Sequence, residues 1–243
     1  MIVVEGLEKR YGKVNAVNGV SFSAKDGRVT GLLGPNGAGK TSTLRMLASL
    51  VKPNGGRALI DGIDVLREPR AALRRLGMLP DSRGLYPRLT TREHLAYFGG
   101  LQGVSADALE QRINELVELL DLDEIIDRRV AGFSQGERTK VAIGRALVHS
   151  PHNVILDEAT NGLDVMSTRA MRGVIRKLAS EGKCVLLSTH VMQEVSELCD
   201  EIVVFAHGRV VSQGTPEELR ARTGERNLEN AFVKIIGTDA GLR

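Results

Sequence analysis

Val29-Thr30-Gly31-Leu32-Leu33-Gly34-Pro35-Asn36-Gly37-Ala38-Gly39-Lys40-Thr41-Ser42 runs from an apolar strand through a glycine-rich turn into a stretch of helix formers. Residues 34–41 fit G-x-x-x-x-G-K-[ST], and the strand before and helix after are the setting in which that pattern forms a phosphate-binding loop. Glycines let successive backbone N–H groups turn inward around an anion, and the helix N-terminus adds its positive end. In that geometry Lys40 reaches the outer phosphates of a nucleoside triphosphate and Thr41 ligates Mg²⁺.

A phosphate loop needs a metal-binding carboxylate, and 117 residues after Lys40 the chain supplies one. Asn153-Val154-Ile155-Leu156-Asp157-Glu158 is an apolar strand ending in two acids. Asp157 suits the Mg²⁺ side through water, and Glu158 suits the general base that polarises an attacking water. His190 ends a second apolar strand at residues 183–189, the edge where ligands bind in open α/β sheets. Tyr11 could stack on a base, or be an ordinary surface or core tyrosine. Ser134 opens a capping box with Glu137; beside Gly136 it is equally a second helix N-terminus open to an anion.

Around these motifs the chain alternates. Short apolar runs at residues 2–4, 17–22, 29–33 and 58–60 predict strands, partly antiparallel, interrupted by a helix from Lys40 to about Val51. Residues 82–148 predict helices only, capped at Thr90, Ser105 and Ser134. After them come β/α alternation, with Ala170, Met171, Val174, Ile175 and Leu178 on one helix face, and a hairpin through His207-Gly208. Helices at residues 216 onward and 228–236 close the chain. The expected organisation is one domain over 1–243: a nucleotide-binding α/β core with a β subdomain (1–81 and 149–215), an inserted helical subdomain (82–148) and a helical tail (216–243).

Composition restricts the class. With 42% hydrophobic and 26% charged residues, the 243-residue chain reads as an ordinary globular protein. A net charge of +3 is too small an excess for a nucleic-acid binder, and three Tyr, five Phe and no Trp make a poor base-stacking platform. No apolar run reaches the roughly 18 residues of a membrane span, and residues 1–5 carry no basic leader. Cys184 and Cys199 are too few for a disulfide framework and read as core thiols. These features predict a reducing, cytoplasmic setting.

Taken in order, the motifs resemble the ATP-binding subunit of ABC (ATP-binding cassette) transporters, over residues 1 to about 215. Tyr11 is similar to the adenine-stacking aromatic loop, residues 34–42 to Walker A, and Phe133-Ser134-Gln135-Gly136-Glu137 to the ABC signature, 23 residues ahead of Asp157 when counted from Ser134. Leu156-Asp157-Glu158 resembles Walker B with its catalytic glutamate, Asn161-Gly162-Leu163-Asp164 the D-loop, and Ser188-Thr189-His190 the switch histidine. The resemblance implies a P-loop NTPase fold, ATP and Mg²⁺ as ligands, and hydrolysis involving Lys40, Glu158 and His190. It also implies a head-to-tail dimer in which Ser134 and Gly136 of one copy face the ATP held by the loop of the other. The pore would be a separate multi-spanning permease, with this subunit on the cytoplasmic face of the plasma membrane. Residues 131–138, 162–169 and 228–232 look like the NatA type of sodium-extruding exporters.

Three departures stand out. Asp81 occupies the expected Q-loop glutamine position, as a repulsive charge or an outer Mg²⁺ ligand. Ala159 replaces the usual proline after the glutamate, and Gln135 a commoner glycine. Seven arginines between residues 67 and 92 read as a solvated face or as a surface toward lipid headgroups or the membrane partner, with Arg83, Arg88 and Arg92 as candidate docking residues. An alternative is a soluble ABC-type ATPase acting on nucleic acid or ribosomes. Its usual long coiled coil or second cassette is missing here, and without an Asn-Lys pair there is no N-K-x-D guanine-reading motif.

Overall fold

The apolar runs sort into two sheets because they follow two different patterns. In the computed structural model, which describes residues 1–82 and 84–237, the first sheet is antiparallel. Its strands β1 (Ile2–Tyr11), β2 (Val14–Ala24), β4 (Gly55–Ile60) and β5 (Ile63–Asp64) lie in the order β2-β1-β4-β5. Strands β1 and β2 mix buried and exposed positions, as a sheet covered on one face requires.

The second sheet has six strands in the order β10-β9-β3-β8-β7-β6. Its members are β3 (Val29–Leu33), β6 (Leu76–Leu79), β7 (Asn153–Asp157), β8 (Cys184–Thr189), β9 (Glu201–Ala206) and β10 (Arg209–Gly214). All neighbours are parallel except the β9–β10 hairpin. Strands β3, β7 and β8 are buried at every residue, and successive side chains serve different cores. Val154, Leu156, Val185 and Leu187 enter one cluster with the helices that follow, whereas Ile155, Cys184, Leu186 and Phe205 enter another beneath the antiparallel sheet. Phe22 meets Phe205 edge to face at 6.1 Å and ties the two sheets together. Each such fully buried side chain contributes about 1.5–3 kcal/mol.

Helix α1 (Lys40–Leu47) follows β3, and the short α2 (Pro69–Leu73) precedes β6. Between β6 and β7 lie α3 (Thr91–Leu101), α4 (Ala106–Leu120) and α5 (Gln135–Leu147). The Thr90 and Ser134 capping boxes form in full, each serine or threonine oxygen accepting from the N–H of the glutamate three residues on. Ser105 stands at the start of α4, but its side chain makes no capping bond. The chain then runs through α6 (Val165–Ser180) and α7 (Met192–Leu198) to α8 (Pro216–Thr223) and α9 (Leu228–Ile236).

Several expectations are corrected. Helix α1 ends at Leu47 rather than near Val51, since Ser49 turns into the left-handed region at φ 55°. Ala170 is exposed, and the buried residues of α6 are Met171, Ile175, Leu178 and Ala179. Strand β6 and helices α2 and α7 lie outside the elements that the sequence predicts. In β6 the run is four residues long and includes Gly77, where a Cβ would lie 2.2 Å from the Ala146 carbonyl oxygen. Helix α7 is preceded by Val191, which offers no capping side chain.

Candidate functional site

Where β3 hands over to α1, the backbone is held in a shape that only glycine tolerates. Gly39, at the start of α1, has φ 103°, and a Cβ there would lie 2.5 Å from the carbonyl oxygen of Ala16. The hairpin between β9 and β10 braces the same loop: the Gly208 N–H donates to the Ala38 carbonyl at 3.1 Å, and the Asn18 N–H donates to the Gly208 carbonyl at 2.7 Å. Lys40 is only 6% exposed, and its Nζ donates to the carbonyls of Gly34 (2.6 Å) and Pro35 (3.1 Å). Burial pushes the Lys40 ammonium below its ordinary range, while the charges of Glu158 and Asp157 oppose that shift.

The C-terminal ends of β7 and β8 bring the other groups to the same place. Asp157 is 2% exposed, and its Oδ1 has no hydrogen-bond partner. Burial raises the Asp157 carboxyl above its usual range; Glu158 and Asp81 push it the same way and Lys40 pulls it back. Glu158 leaves the strand in the left-handed region at φ 51°, its N–H donating to the Ser188 carbonyl at 2.9 Å. That turn aims its carboxylate at His190, whose Nδ1 lies 3.0 and 2.9 Å from the two oxygens.

These side chains wall a cavity of about 690 Å³. Tyr11, Asn36, Gly37, Ala38, Gly39, Lys40, Thr41, Ser42, Asp81, Glu158 and His190 all line it. Gly34 and Pro35 do not line it but hold Lys40, and the buried Asp157, which does not line it either, acts on Lys40 through its charge. Its size suits a nucleotide-scale ligand. For a hard cation the available oxygens are the Thr41 hydroxyl, the unpartnered Asp157 Oδ1 and the Asp81 carboxylate, a set that fits Mg²⁺. Tyr11 is half exposed at the rim, with Lys9 Nζ 5.1 Å from its ring centre.

Ser134 and Gly136 are not among the residues lining this cavity. They lie against the start of α6: a Cβ on Gly136 would come 2.8 Å from Ser167 Oγ, and one on Gly162 3.6 Å from Gln135 Nε2. Ser134 is exposed, and its Oγ accepts from the Glu137 N–H at 3.2 Å. Sequence reading missed Val14, Asn15, Ala16, Asn161, His207 and Gly208 as lining residues. In sequence Asn161 reads only as part of the D-loop, and the rest come from segments with no local phosphate-site pattern.

Residues 17–161 match the ABC transporter family. The chain belongs to that family. Among its relatives, this ABC subunit is 41% identical over 224 residues to the ABC transporter ATP-binding protein NatA of Bacillus subtilis, covering 92% of this chain and 91% of that one. It is 41% identical over 238 residues to the Nod factor export ATP-binding protein I of Burkholderia orbicola, covering 98% and 77%. A solved ATP-binding subunit of an ABC transporter superposes with TM-score 0.90 at 30% identity, covering 98% of this chain and all of that one. As a member of the ABC ATPases, the protein is an ATP-binding, ATP-hydrolysing subunit of P-loop NTPase fold.

Proposed function

We propose that this subunit hydrolyses Mg·ATP in the cavity bounded by Lys40, Glu158 and His190 and so powers export through a separate membrane permease. The convergence of those three side chains on one cavity carries the reading. Backbone N–H groups of residues 36–41 hold the phosphates, and Lys40 neutralises the outermost one. Thr41 and Asp157, with Asp81 further out, would hold Mg²⁺, which supplies charge neutralisation on the phosphate oxygens. Glu158 accepts the proton of the attacking water, and His190 orients the Glu158 carboxylate. Tyr11 stacks on the base.

Ser134 and Gly136 serve the cavity of a second copy rather than their own, which accords with their absence from this cavity's wall. The division into a core (1–81, 149–215), a helical unit (82–148) and a tail (216–243) is the working unit of that assembly. The permease docks beside the helical unit, where Tyr86, Tyr97 and Leu101 are exposed. Arg88 stays a candidate docking cation, and Arg83 lies outside the described residues. Arg92 does not, because it is paired within the subunit to Glu110 (2.8 Å) and Asp127 (3.4 Å). None of the described helices is long and apolar enough to cross a membrane. In this reading the permease forms the pore, and the subunit sits on the cytoplasmic face of the plasma membrane. The NatA-type stretches favour Na⁺ as cargo, and the export systems named among the relatives favour outward transport.

Steady-state hydrolysis of Mg·ATP by the purified chain is the direct test. Lys40→Ala should abolish it, a loss on the order of several kcal/mol of transition-state stabilisation. Near-normal turnover in that variant would refute the site. Co-purification with a multi-spanning membrane protein tests the coupling.

A further inference from the structure

A second cavity of about 700 Å³ lies between α6, α7 and the segment after Glu158. Arg169, Arg172 and Arg176 stand along one face of α6, at spacings of three and four, and all line it. Their charges are incompletely met. Arg169 has no ion-pair partner among the described residues. Arg176 donates to the Glu197 backbone carbonyl at 2.8 Å rather than to a carboxylate. Arg172 pairs with the Glu197 carboxylate at 2.5 Å, but its Nε is buried without an acceptor. The remaining acid, Glu194, is 2% exposed and accepts from Thr189 Oγ1 at 3.0 Å. One carboxylate therefore serves three guanidinium groups.

Like charges three and four residues apart weaken a helix. A glycine in a helix interior weakens it too, and Gly173 stands on this same wall. Nothing inside the protein requires that glycine, since a Cβ built on it meets no atom within 4 Å. Both features keep the groove positive and its wall bare. Asn161 lines this groove and the nucleotide cavity alike, so the two adjoin.

The geometry points to an oxyanion site in this groove, for phosphate or a phosphate-bearing small molecule, held by the guanidinium groups of Arg169, Arg172 and Arg176. Guanidinium forks match phosphate oxygens in pairs, and an anion there removes the repulsion along α6. The site stands on this geometry alone; only the idea that the neighbouring reaction supplies its phosphate rests on the hydrolysis proposed above.

The probe is inorganic phosphate, titrated calorimetrically into the full chain preloaded with a non-hydrolysable ATP analogue, which fills the phosphate loop. Saturable millimolar binding is expected, at least fivefold weaker in Arg169→Gln and lost in Gly173→Leu. Leucine is a good helix former, so Gly173→Leu should melt no lower than the wild type and bind nucleotide equally well. Absence of saturable phosphate binding in the wild type, or wild-type affinity in both variants, overturns the site. Phosphate-release kinetics then separate the sources. A changed release rate in the variants identifies the reaction product as the ligand. An unchanged rate with phosphate binding lost identifies an anion taken from solution. A chain that fails to hydrolyse ATP but still binds phosphate here refutes the ATPase reading and leaves this site intact.

Discussion

Nδ1 of His190 lies 2.9 Å from one carboxylate oxygen of Glu158 and 3.0 Å from the other, so a residue at the end of β8 fixes the orientation of one just past the end of β7. The left-handed backbone of Glu158 makes the contact possible, by turning its side chain out of the strand and toward the cavity.

Glu158→Gln keeps the shape of that side chain and removes its basicity. Turnover should fall by about 10²–10⁴-fold with ATP affinity retained. With hydrolysis blocked, ATP and Mg²⁺ should shift the variant to a dimer in size-exclusion chromatography. A variant that stays monomeric, or that hydrolyses ATP well, argues against the shared site.

Asp157 makes the opposite trade. Its carboxyl is raised by burial, so the native state holds that proton to higher pH than the unfolded chain does. Between the ordinary carboxylate value and the raised one, stability falls as pH rises, and at neutral pH the ionised group is a standing cost. Asp157→Asn should therefore raise the melting temperature of the free protein, by roughly 2–4 °C for each kcal/mol gained in a chain of this size. Mg²⁺-dependent turnover should collapse in the same variant. A lower melting temperature at pH 7 would contradict the account.

His94 contributes to the acid limb of the stability profile. It is fully buried, 4.8 Å from the Phe98 ring centre and 5.8 Å from that of Tyr86, with neither ring nitrogen hydrogen-bonded. Burial, then the Arg145 charge, lowers its pKa from 6.5 to about 4. The unfolded chain binds this proton first, so the stability is present above pH 6.5 and drains away as pH falls toward 4. The full loss is about 3 kcal/mol. His94→Leu should flatten the slope of denaturant stability between pH 7 and pH 4.5, whatever constant offset repacking adds. An unchanged slope would show that another group titrates there.

Asp81 lines the cavity and adds its charge to the field that raises Asp157. As an outer Mg²⁺ ligand, it should lose Mg²⁺ dependence and turnover on conversion to glutamine. As a mere substitute for glutamine, it should keep or gain activity. Mg²⁺ titrations of the wild type and Asp81→Gln decide between them, and superimposable curves exclude the Mg²⁺-ligand role.

What could be read from the chain alone followed from rules that act locally. Residues 34–41 announce the phosphate loop because its chemistry requires glycine, lysine and a hydroxyl at fixed spacing. Thr90, Ser134 and Thr215 announce helix starts because their capping partners stand three residues away. Strand β6 was missed because its four residues become a strand only by pairing with β7, from Leu76 opposite Asn153 to Leu79 opposite Leu156. His207 was read as a hairpin turn, and nothing nearby in sequence says that the turn rests on the phosphate loop. Arg92 shows the converse error: a cation set among arginines looks free until α4 and the loop before Val130 bring Glu110 and Asp127 to it.

The bracing of the phosphate loop sets an order of events during synthesis. Residues 34–41 leave the ribosome early, but β3 lies between β8 and β9, and Gly208 closes the loop onto β2. The nucleotide cradle is thus completed only after the chain has been made as far as Gly208. A nascent chain released before residue 208 carries the whole glycine-rich motif and still lacks the backbone contacts that shape it. Capture of ATP is then expected only once translation has passed Gly208, the turn that leads into β10.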